Sequence, residues 1–472
     1  MFYLSYNSIH VHFLLKDGMV TLILITDMTK GSIPKHLVGF AMPLILGNFF
    51  QLTYNATDSI IVGRFVGTKA LATVGIANPI MNIVMFFIMG ICMGASVLMS
   101  QYFGEGDIKK LKREVSTTMI GGLIFTVILI IFCVIMTKPM LELIRTPKEI
   151  LPEASNYLRI IFCGLIFTFL YNVYASTLRS IGDSKIPLLF LIISAVLNVV
   201  MDIIFVVCFK WGVSGAALAT VTAEMVSSVL CISYAYIKVP MLRFSRKEIV
   251  LDKVLLRTTI SYSWVTAMQQ TCLYVGKVLV QGAVNPLGIE AIATFNAVNR
   301  VDDFAFTPQQ SISSGMTTFL AQNRGAKKFD RLKKGFWSGM KIETLYWVLI
   351  VGIIFFGAPH IMHLFVADKN SKVVQLGVKY LEMMAFFYFL PGCTNGIQGY
   401  FRGLGDLKIT LRSTFLQIVG RVIFAYILAP KFGVVGIALS CLAGWIVMLA
   451  YEVPFCVKEL KKTKGINNES IV

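Results

Sequence analysis

The chain has 472 residues, of which 56% are hydrophobic and only 14% charged, and its mean hydropathy is +0.74. That balance excludes a water-soluble globular domain and marks a membrane protein. A net charge of +18 would suit a nucleic-acid partner if the cations were gathered in one domain, but they are sorted among the segments between apolar runs, so they report topology and no nucleic-acid partner is expected.

Residues 1–27 lack the charged start and long apolar stretch of a signal peptide and are expected to be a variable or disordered extension, with Met28 as an alternative start. Twelve apolar runs follow, near 37–62, 70–102, 114–137, 152–178, 186–209, 213–237, 255–283, 289–322, 336–357, 373–401, 409–430 and 434–457. Each is long enough to cross about 30 Å of hydrocarbon as a helix. Basic residues crowd alternate connections, such as Lys109, Lys110, Lys112 and Arg113, then the stretch from Arg243 to Arg257, then Lys327, Lys328, Arg331, Lys333 and Lys334. The opposite connections are sparse, so both termini are expected in the cytoplasm. The nine cysteines lie almost all in apolar runs without a C-x-x-C, and read as packing residues with no zinc site or disulfide. His360 and His363 read as an interfacial pair.

The chain repeats itself. "ALATVGIANPI" from Ala70 matches "AIATFNAVNRV" from Ala291, an offset of 221 residues, and "LRSIGDSK" from Leu178 matches "FRGLGDLK" from Phe401, an offset of 223. Two tandem six-helix halves of one orientation follow, with a pseudo-twofold axis along the membrane normal and room for a central cavity between them. The expected divisions are a lobe at 28–238, a cytoplasmic linker at 239–257, a second lobe at 258–458 and a cytoplasmic tail at 459–472.

A charge at the bilayer centre costs about 2.5–3.5 kcal/mol, so each one needs a partner, water or a function. In the first run Gln51, Tyr54, Asn55 and Asp58 share one helical face. In the fifth, Ser194, Asn198 and Asp202 step by four and share another. Two polar stripes in one half, each ending in an acid, suggest a shared cation pocket. The second half lacks the device, since Asp58 falls on Leu279, and Asn198 and Asp202 fall on Arg421 and Ala425. Its own charges, Lys277, Arg300, Asp302, Asp303 and Arg421, with Asn299 nearby, read as a charge-compensated cluster lining the cavity, in which Arg300 or Arg421 neutralises Asp303. Glu224, Glu343 and Glu382 are weaker cavity candidates, and Met81, Met85, Phe86 and Phe304 lie near the polar stripe of the aligned helices.

Pro43 fifteen residues before Asp58, the run "DSIIVGRFVG", the paired "LRSIGDSK" and "FRGLGDLK" loops and Asn198-x-x-x-Asp202, in this order on twelve runs, resemble the multidrug and toxic compound extrusion (MATE) family over essentially the whole chain after Met28. The resemblance implies an all-α membrane protein, with twelve transmembrane helices in two pseudo-symmetric six-helix lobes around a central cavity. It implies a secondary active transporter rather than an enzyme, of the bacterial type with its cation site in the N-terminal lobe, exporting amphipathic, often cationic, compounds by alternating access. By position Asp58 is then the first-helix carboxylate, Asn198 and Asp202 its helix-five partners and Thr220 a helix-six hydroxyl of the same pocket. Tyr54 sits one turn before the acid, Asn172 is a helix-four candidate, and Pro43 is the point about which the first helix bends. The coupling ion is H+ or Na+, and sodium would take Asp58, Asp202, Asn198 and Thr220, because hard cations take oxygen ligands. No other cofactor is implied. The expected setting is a monomer with small-molecule substrates, surrounded by lipid in the bacterial cytoplasmic (inner) membrane.

Two rival readings remain at this level. A flippase of a lipid-linked precursor would share the lobes and cavity. An intramembrane aspartyl protease is suggested by "GLGD" at Gly403–Asp406, although the matching "SIGD" in the first half argues for a helix-end turn. The repeat places residues 103–110 and 324–331 on one side of the membrane. Single cysteines introduced in the two segments are therefore expected to react with an impermeant maleimide from the same side, and labelling from opposite sides would overturn the topology.

Overall fold

The computed structural model describes residues 2–6, 9–16, 19–245, 247–365 and 371–469, and side chains from Thr26 to Lys462 apart from Asn55, Ala56, Ser59, Arg246 and 366–370. Ahead of the helices, where a variable or disordered extension was expected, the backbone forms strands β1 (Phe2–Tyr6), β2 (Ile9–Lys16) and β3 (Met19–Thr26), paired in that order as an antiparallel meander.

Six long helices precede the linker and six follow it. The first set is α1 (Ile33–Phe65), α2 (Thr68–Glu105), α3 (Ile108–Leu143), α4 (Leu151–Ser180), α5 (Lys185–Asp202) and α6 (Gly212–Lys238). The second is α7 (Lys253–Val284), α8 (Ile289–Gly325), α9 (Phe329–His363), the arms α10 (Lys372–Phe387) and α11 (Phe389–Gly403), α12 (Leu407–Phe432) and α13 (Val434–Glu469). The two arms meet at 43° across a break at Tyr388 and are counted together. Helices α7 and α8 are long but not as apolar as a lipid-facing span, because both carry buried polar side chains, among them Thr266, Gln269, Asp302 and Gln309. The last residues of the expected linker, 253–257, already belong to α7, and most of the expected tail continues α13.

Outward side chains explain the composition. Along α3, Ile124, Ile128, Ile131 and Ile135 are 52–62% exposed at helical spacing, which makes a stripe suited to lipid and intolerable in water. Inward, Leu158, Phe162, Leu165 and Phe169 put α4 at the centre of one apolar core. Tyr380, Met384 and Tyr388 anchor a second in the other half.

Contacts divide the chain into two compact units, Met1–Lys30 with Pro43–Ala267, and Gly31–Met42 with Met268–Val472. The first unit thus includes the opening turns of α7. Gly90 and Gly94 on α2 have no Cβ, so the α7 backbone at Ser263 and Ala267 packs directly on them. Ser263 Oγ donates to the Ile91 carbonyl at 2.9 Å and Thr266 Oγ1 to the Gly90 carbonyl at 2.5 Å. On α3, Glu114 is fully buried and accepts from Thr259 Oγ1 of α7 at 2.7 Å and from Thr118 Oγ1 at 3.2 Å. The linker is held on α3 as well. Ser116 Oγ accepts from the Val250 amide, Thr117 Oγ1 accepts from the Asp252 amide, and Lys112 pairs with Glu248 at 2.9 Å. The Ser245 amide and Lys112 together hold the Glu248 carboxyl at about 2.

The second unit includes the opening turns of α1, where Arg331 Nη1 donates to the Gly31 carbonyl at 3.0 Å and the backbone at Leu37 lies over Gly315. Helix α1 runs unbroken from Ile33 to Phe65, and Pro43 lies inside it as the first residue assigned to the other unit. Because a Cβ on Gly94 would lie 2.6 Å from Ser263 Cα, Gly94→Val is expected to lower the thermal midpoint of the purified protein sharply, by more than the about 1–3 kcal/mol typical of overpacking against side chains. An unchanged midpoint in a detergent melt would show that α2 and α7 do not pack this way.

Candidate functional site

The first unit gathers acids from three helices. Asp58 stands on α1, Asp202 is the last residue of α5, and Glu224 lies one turn beyond Thr220 on α6. The carboxyls of Asp58 and Asp202 lie close enough to interact. Asp202 is fully buried and neither of its oxygens has a donor, and Asp58 Oδ1 and Asn198 Oδ1 also lack one. Asn198 Nδ2 reaches Thr220 Oγ1 at 3.4 Å, while that hydroxyl donates to the Ala216 carbonyl at 3.1 Å. Four residues expected together are therefore found together, and they share a surplus of acceptor oxygens. Such a set is chemically suited to one shared proton or to a hard cation, and unsuited to two bare carboxylates.

A second layer lies one turn away. Tyr54 hydrogen-bonds with Gln51 and lies within electrostatic reach of both Glu224 and Asp58. Thr168 of α4 donates to Glu224 Oε2, and Asn172 Nδ2 donates to the Thr168 carbonyl at 2.8 Å. Asn172 thus belongs to the Glu224 layer. Its amide is given to its own helix. Tyr157 of α4 lies near both Asp58 and Asp202. Sequence reasoning ranked Glu224 low and missed Thr168 and Tyr157, although the four-residue step from Thr220 to Glu224 already placed those two on one face. The Asn55 side chain lies outside the described residues.

Asp202 also ends the α-helical part of its span. Residues Ile203–Cys208 wind as a π-helix, with the Phe209 amide donating to the Ile204 carbonyl five residues back at 2.9 Å. π turns within helices are frequent at functional sites.

The second unit arranges its charges differently from expectation. Asp303 pairs with Lys277 at 2.7 Å, and not with Arg300, which is exposed, or with Arg421. Asp302 is the buried member, 5% exposed, and accepts from Tyr388 Oη at 2.5 Å and Tyr380 Oη at 3.1 Å with Arg421 close by. Two tyrosines from α10 and its junction therefore do what a single charge partner was expected to do. Asn299 is half-buried on α8. Met81 and Met85, read as near the polar stripe, pack against the first unit's core.

The "SIGD" and "GLGD" stretches are matching turns. Gly182 and Gly405 both take positive φ, 89° and 75°, and Asp183 Oδ1 caps α5 by accepting from the Lys185 and Ile186 amides. Burial nevertheless pushes the Asp183 carboxyl up to about 6. Asp406 occupies the cap position before α12, at a turn between helices and not inside a span.

One family description, MatE, matches the chain twice, at residues 43–204 and again at 266–427. The chain belongs to the MatE family. The paired match follows the tandem repeat, one copy in each half. The chain is 28% identical to a probable multidrug resistance protein, YpnP of Bacillus subtilis, over 81% of this chain and 85% of that one. It is 24% identical to the probable multidrug resistance protein NorM of Thermotoga maritima, over 89% of each. The solved structure of a MOP-superfamily transporter from Pyrococcus furiosus superposes with a TM-score of 0.85 at 21% identity, covering 93% of this chain and 98% of that one. This MatE protein is thus a multi-pass membrane transporter of the multidrug efflux family and not an enzyme. Its fold is that of a twelve-helix, two-lobed MATE transporter.

The two acids of the second unit are expected to respond differently to loss of a partner. Tyr388→Phe removes a donor from buried Asp302 and should destabilise by about 1–3 kcal/mol. Lys277→Met opens a pair that is 56% and 34% exposed and should cost no more than about 1 kcal/mol. Thermal melts of the two variants in one detergent check this, and equal losses would contradict the assignment of Asp302 as the buried partner.

Proposed function

We propose that the protein is a cation-coupled exporter of amphipathic, often cationic, organic compounds, in which Asp58 and Asp202 carry the coupling ion. The observation that supports this most directly is the closeness of two carboxyls of which three oxygens, Asp58 Oδ1 and both of Asp202, have no hydrogen-bond partner. One proton shared between them satisfies the pair, and its loss leaves two like charges in a buried place, which is unfavourable by both desolvation and repulsion. Proton occupancy therefore decides which arrangement of α1, α5 and α6 is stable. An ion gradient biases a two-state transporter through such a difference. Sodium, as the alternative coupling ion, would be held by the same ionised oxygens with Asn198 Oδ1 and the Thr220 hydroxyl.

Each residue then has a task. Asp58 and Asp202 bind and release the ion, Asn198 and Thr220 hold Asp202's surroundings in place, and Tyr54 connects this layer to Glu224. Pro43 removes one backbone hydrogen bond from α1, so the helix can change its bend between its two ends without losing others. We place the protein in the bacterial inner membrane as a monomer, in keeping with its family, with both termini in the cytoplasm, following the distribution of basic residues.

The test is efflux of a fluorescent organic cation from proteoliposomes with proton and sodium gradients imposed separately. Asp58→Asn keeps the shape and cannot titrate. It is expected to insert correctly, to bind the cation as the parent does, and to lose gradient-driven efflux by at least tenfold. Efflux at the parent rate would remove Asp58 from the coupling site. A response of the parent to a sodium gradient alone would exchange the proton for sodium.

A further inference from the structure

The second unit holds an acid that the N-terminal site does not use. Glu343, near the middle of α9, is 2% exposed, and neither Oε1 nor Oε2 has a hydrogen-bond partner. Facing it from α8 is Gln309, fully buried, whose Nε2 donates to the Tyr388 carbonyl at 2.9 Å and whose Oε1 has no donor. The two side chains converge on one point of α11. A Cβ built on Gly392 would lie 3.3 Å from Gln309 Nε2 and 3.7 Å from Glu343 Oε2. Glu343 and Gly392 also line a crevice too small to hold a water, together with Met340, Thr344, Phe389 and Cys393.

Among the described residues no cation offsets the carboxyl. The titratable side chains that face it are Tyr346 of its own helix, whose hydroxyl donates to the Ala305 carbonyl at 2.9 Å, and Cys393 of α11. Helices α8, α10 and α13 present no charged group to it among the described residues. Thr344, its neighbour, donates to the Met340 carbonyl of its own helix at 2.9 Å. A bare carboxylate enclosed this way, with no donor and no counter-charge, is among the most unfavourable arrangements a membrane helix can hold. A neutral carboxylic acid fits, because its own O–H is a donor and the Oε1 of Gln309, whose side chain meets Gly392 as Glu343 does, is an acceptor without one.

We propose that Glu343 is a second proton-carrying site, built with Gln309 in the C-terminal unit, which is charged with a proton in this state and releases it when α9 and α11 part at Gly392. On release the Oε–H bond breaks with its electron pair left on the carboxylate, and the proton passes to the water that the parting admits. The glycines make the closure tight. Met340 Sδ of α9 occupies the place of a Cβ on Gly396, one turn along α11 from Gly392, so water reaches Glu343 from this side only if the helices separate.

This proposal does not rest on the Asp58–Asp202 reading, and one experiment separates the two. Infrared difference spectra of the purified protein between acid and alkaline buffer, with a parallel count of protons released, are taken for the parent, Glu343→Gln and Asp58→Asn. The expected result is a carbonyl band of a protonated carboxyl that disappears in alkali, is absent from Glu343→Gln and persists in Asp58→Asn, with one proton fewer released per chain by Glu343→Gln. A spectrum and proton count unchanged in Glu343→Gln would overturn the proposal. So would a Glu343 band that persists at every pH at which the protein stays folded, since the acid would then be a permanent structural donor. Should Glu343→Gln fail to fold, Gly392→Ala serves instead, because its methyl group reaches both partners. It is expected to shift the band without abolishing it, and an unshifted band would count against the pairing.

Discussion

Hydrocarbon offers nothing to solvate a charge, so the placement of a handful of carboxyls governs much of how the helices can be turned. Each acid must present its oxygens to donors, and those donors have to be side chains, most of them on neighbouring helices, because a helix's own amides are already used. Asp302 meets this demand with two tyrosine hydroxyls, and Glu114 with two threonines. Glu452, fully buried on α13, takes a 2.6 Å bond from Ser413. These contacts fix helix rotations as firmly as apolar packing does. Where donors run short, at Asp58, Asp202 and Glu343, the shortage itself becomes the chemistry.

Close approach of helices is the second requirement, and small residues supply it. Gly90 and Gly94 let α7 lie on α2, and glycines along α11 let α8 and α9 reach into it at Gly392, Gly396, Gly399 and Gly403. Without a hydrophobic drive between helices in lipid, backbone proximity and the hydrogen bonds it permits carry much of the association. The hydroxyl-to-carbonyl bonds from Ser263 and Thr266 exist only because the glycines leave those carbonyls within reach.

The long helices and the repeat were legible in the sequence, because span length and offset identity are one-dimensional properties. Apolar runs located all twelve spans, including α7 and α8 with their polar content, and the stripes on α1 and α5 brought Asp58 to Asp202 because spacing by four survives any rotation of the helix. Partners across helices were another matter. That Asp303 turns to Lys277 and Asp302 to the tyrosines depends on a rotation of α8 by one residue, about 100°, which two adjacent aspartates cannot reveal. The break at Tyr388 was hidden inside a single apolar run, and the N-terminal strands alternate over a stretch too short to stand out beside the helices. Glu343 looked like one of several stray acids, since its burial is decided by glycines on another helix.

The π-helix after Asp202 gives α5 a property that a plain helix lacks. A π turn carries one residue more than its neighbours, so the side chains beyond it are rotated by about 100° from where an α-helix would put them. The extra residue can be handed along the chain one position at a time, exchanging one hydrogen bond for another. Such a step would turn Asp202 about the helix axis while Asn198 stayed where it is. Phe205 within the π turn clusters with Phe209 and Trp211 just beyond it, ring centres 5.1–6.2 Å apart, and gives the downstream end something to hold against. The span thus contains a built-in screw thread, whose pitch is one residue and whose moving mark is a carboxylate.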